Sequence, residues 1–161
     1  MHRTRVACIV ASMFAAAVLL PPSPAQAQES PFTGRWHLNK ALSKLPPGEA
    51  APADLVIDIL RADNLHMRWA ATVADDKGQT DVVTFDTPAN GEFYFIDADT
   101  SVSFRLTGSS LQATFKNPNG PTDTMGCTLS GDQRQMTCNG TVTQQDGTVS
   151  RYVDVLDRTA R

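Results

Sequence analysis

The chain has 161 residues, with 17 Asp plus Glu against 14 Lys plus Arg, 41% hydrophobic residues, 7% aromatics and 19% charged residues. That arithmetic describes one modest globular domain and excludes two large ones. The small net negative charge leaves no basic surface to neutralise a run of phosphates, so no nucleic-acid partner is expected.

Residues 1–30 differ in composition from everything after them: a basic start (His2, Arg3, Arg5), an apolar stretch over 6–20, and a Pro-rich polar end. At about fifteen residues the apolar stretch is shorter than the roughly 20 that span a bilayer. Pro21-Pro22 follows it at once, and Ala25-Gln26-Ala27 supplies a small-x-small cleavage site. This is the pattern of a secretory signal peptide over 1–27, cut after Ala27. The expected product is a single domain over 28–161, periplasmic or secreted, with no membrane insertion of the mature chain. Cleavage removes two basic residues and no acidic ones, leaving twelve basic against seventeen acidic and a formal charge of −5. The mature chain can bury roughly two thirds of its unfolded surface, enough to fold without metals or partners.

The mature composition is poor in Glu and Lys and rich in Asp, Thr, Gly and Asn, as when strands are joined by tight turns. Period-two alternation bounded by turn residues predicts strands over 32–39, 54–61, 65–73, 80–86, 92–96, 100–107, 110–116, 123–130, 134–143 and 148–157. Between them lie turn sequences such as Asp75-Asp76-Lys77-Gly78, Pro88-Ala89-Asn90-Gly91, Asn117-Pro118-Asn119-Gly120 and Gln145-Asp146-Gly147. Short connectors imply antiparallel neighbours. Some eight to ten sequential strands of this kind predict an all-β, up-and-down antiparallel β-barrel with little helix, closed so that no long edge is exposed. The one long connection, 40–52, has room for a short helical turn over 41–45 before Pro46-Pro47 stops it.

Alternation also predicts an inner face, because residues at i and i+2 point to the same side of a strand. Leu65, Met67, Trp69, Ala71 and Val73 form one such set. Phe93 with Phe95, then Val102, Phe104 and Leu106, then Leu111, Ala113 and Phe115, then Met125, Cys127 and Leu129 repeat it. Periodicity does not distinguish a hollow barrel from one packed solid by the same side chains.

Phe32-Thr33-Gly34-Arg35-Trp36-His37-Leu38-Asn39, followed by Ser43 and Pro46-Pro47, resembles the opening of a group of small secreted bacterial lipocalin-like proteins. Ser130-Gly131-Asp132 with Met136-Thr137, and Tyr152 with Asp157-Arg158, resemble that group's later features, although Gly131-Asp132 reverses the usual order and the cysteines are not part of its pattern. The resemblance implies a calycin-type barrel and brings no established activity. Gly34-x-Trp36 is similar to the lipocalin signature, where the Trp closes one barrel end and an Arg from the last segment lies across its ring. Arg158 is the implied partner of Trp36 in that barrel closure.

Cys127 and Cys138 are the only cysteines left after cleavage, in an oxidising compartment, and are expected to form a disulfide. A turn at 131–134 sets Leu129 opposite Met136 and Cys127 opposite Cys138, a non-hydrogen-bonded pair where side chains approach most closely.

Residues with reactive chemistry are sparse. His37 and His66 have no second His or paired Cys at ligand spacing, so no resident metal and no cofactor are expected. Asp97-x-Asp99-x-Ser101 lacks the Gly and the distant Glu of a calcium loop and reads as a turn. No phosphate loop, dinucleotide fingerprint or nucleophile elbow is present. Asp58, inside the apolar run 55–60, is the unusual acid. Pointing inward it is a candidate general acid or ligand anchor; pointing outward it keeps the strand soluble, and the outward reading is preferred.

Three function classes follow. The preferred one is a binding protein for a small apolar or amphipathic molecule, contacted by Met67, Trp69, Phe95, Phe104, Phe115 and Met125 inside the barrel. A periplasmic lyase, isomerase or hydrolase is the second, and requires ionisable groups such as Asp58 with His66 or Arg68 to converge inside. An envelope interaction protein with a filled barrel is the third. The sequence does not specify the oligomeric state.

Overall fold

In a computed structural model, residues 30–46, 52–63 and 65–160 are described; the signal-peptide reading of 1–27 lies outside them. Ten strands run in chain order: β1 (Gly34–Leu38), β2 (Asp54–Ala62), β3 (Met67–Ala74), β4 (Thr80–Thr87), β5 (Tyr94–Phe95), β6 (Ser101–Thr107), β7 (Ser110–Lys116), β8 (Thr122–Leu129), β9 (Gln135–Thr143) and β10 (Val149–Thr159). No helix occurs among the described residues. The turn at the start of the long connection is a single one, in which the Leu42 and Ser43 amides both donate to the Asn39 carbonyl. The chain then rejoins β10 through a Lys44–Val153 bridge.

Every pairing between neighbouring strands is antiparallel, in the order β4-β3-β2-β1-β10-β9-β8-β7-β6-β5. The first and last strands of the chain therefore sit side by side in the middle of the sheet. The barrel is nearly closed, rather than fully closed as the strand pattern suggests: β4 and β5 do not pair. The reason is local, since β5 has only two residues and cannot run the length of β4. At one end the connection after β4 crosses the gap, with the Ala89 amide donating to the Leu65 carbonyl and the Gly91 amide to that of Phe104.

That same end is filled. Phe32, Trp36, Met67, Leu111 and Met136 are all fully buried. Trp36 and Arg158 are direct cross-strand partners, and the guanidinium lies 4.2 Å from the centre of the indole. Its three nitrogens donate to the carbonyls of Gln133 (2.8 Å), Thr33 (2.9 Å) and Pro31, while the Trp36 indole donates to the Phe32 carbonyl at 2.9 Å. One planar cation thus ties the β8–β9 turn to the segment entering β1, a use of the fixed donor fork that lysine cannot reproduce. Gly34 lies beneath it: a Cβ there would stand 2.6 Å from an Arg158 nitrogen, and its φ of +152° disfavours any side chain.

Cys127 and Cys138 are cross-strand partners joined by a disulfide, with Cα atoms 4.0 Å apart. The Ser130 amide donates to the Gln135 carbonyl. Counting back three alternating positions from that bonded pair places the cysteines at a non-hydrogen-bonded one.

Three residues expected on the inner face are not there. Phe95 is 75% exposed, Leu65 is 77% exposed and Phe93 lies half outside. The register explains Phe95: Tyr94 stands opposite the inward-facing Val102, so Phe95, opposite Ser101, points out. Leu65 precedes β3 and belongs to its turn, and Phe93 precedes β5 with the Lys116 ammonium over its ring at 4.0 Å.

Trp36→Ala is expected to lower unfolding free energy by about 3–5 kcal/mol, the range for truncating a buried large aromatic. Urea denaturation followed by circular dichroism measures it. An unchanged midpoint would remove Trp36 from its role in the packed end.

Candidate functional site

The packed core stops at four rings. Trp69, Phe85, Phe104 and Phe115 contact one another with centroids 5.5–6.5 Å apart, in tilted or edge-to-face arrangements. Such contacts favour one another beyond their area alone. Beyond these rings, toward the end opposite Trp36, lies a cavity of about 270 Å³. That is just below the ~300–1,000 Å³ range of ligand pockets.

The cavity takes its lining from seven strands. Leu55 and Ile57 come from β2, Trp69 and Ala71 from β3, Val83 and Phe85 from β4, Phe115 from β7, Asp123 and Met125 from β8, Cys138 from β9, and Tyr152, Asp154 and Leu156 from β10. Val83 is 44% exposed, so the cavity opens beside β4, along the unpaired edge.

Of the six predicted contact residues, Trp69, Phe115 and Met125 line the cavity. Met67 and Phe104 do not: both are fully buried in the packed part. Their parity is the same as that of the lining residues but their height along the barrel is not, since Phe104 lies one inward step beyond Val102, the partner of Phe115. Phe95 is outside the barrel altogether.

The residues named for an enzyme do not converge. Asp58 points outward, its carboxylate 3.8 Å from Arg35. His66 contacts Asp86, and Arg68 approaches the same carboxylate at 4.0 Å. His37 bonds to Asp54 at 2.5 Å on the surface. Asp97 accepts the amides of Asp99 and Thr100, an Asx turn whose hydrogen bonds hold its carboxyl below the usual carboxylate range. Among the described residues no group of three His, Cys, Asp or Glu is placed to hold a metal ion.

The polar chemistry of the cavity is instead on β8 and β10. The Tyr152 hydroxyl donates to both oxygens of Asp123, at 3.0 and 2.9 Å. The phenol reaches β8 from β10 because Gly140, its partner on the intervening β9, has no side chain. A Cβ at Gly140 would stand 1.9 Å from the ring. Asp154, two residues along the same face, is partly buried; desolvation first, and the negative charge of Asp123 second, raise its pKa above the ordinary value. The Trp69 indole N–H is buried and has no hydrogen-bond partner among the described residues.

Parity puts Tyr152, Asp154 and Leu156 on one face of β10 without saying which way that face points. Val149, Val153 and Val155 on the opposite face form the more apolar set, and apolarity alone selects the wrong side. The distinguishing signal was Gly140, a glycine in mid-strand with a large aromatic as its partner.

Two outcomes follow. Gly140→Ala is expected to cost about 1–3 kcal/mol through overpacking, and most of that cost should vanish in a Tyr152→Ala background, where no ring is left to displace; additive losses in the four denaturation midpoints would contradict it. Asp154→Asn should raise the melting temperature at pH 7. The folded state holds the Asp154 proton more tightly than the unfolded chain, so stability declines as pH rises through the raised titration range. The advantage of the Asn variant should therefore shrink as pH falls through that raised range toward the ordinary carboxylate value; an equal melting temperature at pH 7 would contradict it.

No protein-family model matches the sequence, and no curated protein matches it. Solved structures do resemble it. Wild-type fluorescent protein UnaG superposes with a TM-score of 0.54 at 16% identity, over 80% of this chain and 97% of that one. A redesigned β-barrel gives 0.51 at 13%, over 80% and 92%. Zebrafish ileal bile acid-binding protein complexed with cholic acid gives 0.49 at 15%, over 81% and 100%. At these identities the likeness is one of architecture: this chain is built as an all-β, nearly closed up-and-down barrel of ten antiparallel strands.

Proposed function

We propose that this protein is a secreted or periplasmic binding protein for a small apolar or amphipathic molecule, and that it belongs with the small secreted bacterial lipocalin-like proteins its opening residues resemble. The observation that carries the binding role is the cavity of about 270 Å³ with Trp69, Phe115 and Met125 in its wall and a packed, ring-capped core beneath it. An apolar enclosure with few polar groups is the usual form of a small-molecule site. Val83 and Phe85 on one side and Leu55 and Leu156 on the other complete the apolar walls.

The Cys127–Cys138 disulfide fits export, because such bonds persist in oxidising compartments. Among the described residues no helix is long and apolar enough to cross a membrane. Trp36 and Arg158 serve as the closure of the sealed end, leaving the other end for the ligand.

Binding is read from quenching of Trp69 as small apolar molecules are titrated, with Trp36 replaced by Phe so that one indole remains. Ala71→Phe projects a ring into the cavity from its wall. That variant is expected to keep the fold by circular dichroism and to weaken binding of any hit at least tenfold. A hit whose affinity is unchanged by Ala71→Phe binds elsewhere and contradicts the assignment.

A further inference from the structure

We propose that the free edge of β4 is a self-association surface, on which a second copy of this chain lays its own β4 antiparallel about a two-fold axis at Val83.

The run from Thr80 to Thr84 is exposed at every residue, on the inward-facing and outward-facing sides alike. It includes the adjacent pair Val82 and Val83, 63% and 44% exposed. The β3–β4 ladder decides which backbone groups are free. Bonded pairs flank it at both ends, the Asp75 amide donating to the Gln79 carbonyl and the Ala89 amide to the Leu65 carbonyl. Counting alternate positions between them along the unbroken register turns the amides and carbonyls of Asp81, Val83 and Phe85 toward β3. Those of Thr80, Val82, Thr84 and Asp86 point the other way, to the side where no described strand pairs with β4.

Such a row of free donors and acceptors is a template for another strand, and proteins commonly blunt it with Lys, Pro or a bulge. Thr80–Thr87 has none of these. Thr80, Val82, Val83 and Thr84 are β-branched and favour the extended chain.

A second copy fits this edge for three reasons. A two-fold axis at Val83 sets Val82 opposite Thr84 and Thr80 opposite Asp86, so that every free amide and carbonyl from Thr80 to Asp86 meets a partner; sliding by two residues leaves an end unpaired. The same register opposes no two acids. Asp81 comes to lie across from Phe85, and Asp86 is already matched by His66 and Arg68 of its own chain. Finally, the sheet's other edge offers no alternative: β5 has two residues, and beyond it the bridge between Asn90 and Arg105 occupies β6. β4 can therefore match only another β4, which closes at two copies rather than growing a fibre. Val83 also borders the cavity, so pairing brings the two cavity openings together at the axis and does not require that either be occupied.

Sedimentation equilibrium of the mature, disulfide-bonded protein, up to about 1 mM, the weak end of specific association, is expected to show a monomer–dimer equilibrium. Thr84→Pro deletes an amide that points away from β3, a position where an edge strand accepts proline, and should weaken the dimer at least tenfold with the barrel's circular dichroism retained. Two cysteine variants read the register without relying on that one. In Val83→Cys the two new thiols face each other at a non-hydrogen-bonded pair, with Cα atoms about 4.5 Å apart. In Val82→Cys they are diagonal neighbours roughly 7–8 Å apart, beyond disulfide reach. Air oxidation should therefore yield at least tenfold more covalent dimer from Val83→Cys than from Val82→Cys. A protein that stays monomeric throughout, a dimer undiminished by a folded Thr84→Pro, or equal cross-linking of the two cysteine variants would overturn the proposal.

Discussion

The architecture depends on the ladder between the first strand and the last. β1 pairs with β10 on one side and β2 on the other, and without that contact the sheet would be two separate meanders. Its anchor is the Trp36–Arg158 pair, where one guanidinium covers an indole and satisfies three carbonyls from two segments. A cation stacked on an aromatic face contributes roughly 0.5–2 kcal/mol by itself. Its geometric consequence is larger. It holds the packed end of the barrel together, and the cavity lies toward the other end.

Between the sealed end and the cavity lies the layer of Trp69, Phe85, Phe104 and Phe115. Trp69, Phe85 and Phe115 face the void from this layer, whereas Phe104 within it and the residues beneath it face other side chains. The void is apolar on most sides, but β8 and β10 bring two carboxylates into it. Burial raises the pKa of Asp154, so its ionised carboxylate weakens the fold near neutral pH, a local conflict between a polar group and its apolar surroundings. The disulfide acts in the opposite sense. Joining residues 11 apart on β8 and β9, it contributes roughly 3 kcal/mol in the chain-entropy model, and it ties β8 to the strand that Tyr152 crosses to reach it.

Most of the fold was legible in the sequence because turn chemistry and alternation agree with each other along the chain. All ten strands lie within two or three residues of the predicted spans. The gap between β4 and β5 was not legible, because the segment 92–96 alternates like a strand although only Tyr94–Phe95 pairs. Face assignment failed where a short strand's partner, not its own pattern, sets the register, as with Phe95 opposite Ser101. The candidate site was half legible. Parity identifies Met67, Trp69, Phe104, Phe115 and Met125 as interior and says nothing of height along the barrel, which separates core from cavity wall. Asp123, Tyr152 and Asp154 were hidden because polar residues on an inner face contradict the apolar rule by which inner faces are found.

The central claim is that the open half of this barrel carries a small molecule. Native mass spectrometry of the protein exported to an oxidising compartment and purified without detergent tests it most directly. The account predicts a population heavier than the disulfide-bonded polypeptide by the mass of one small organic molecule, released on mild activation. Only the bare polypeptide mass, together with a crystal structure in which Trp69, Phe85, Phe115 and Met125 close the space between them, would contradict it.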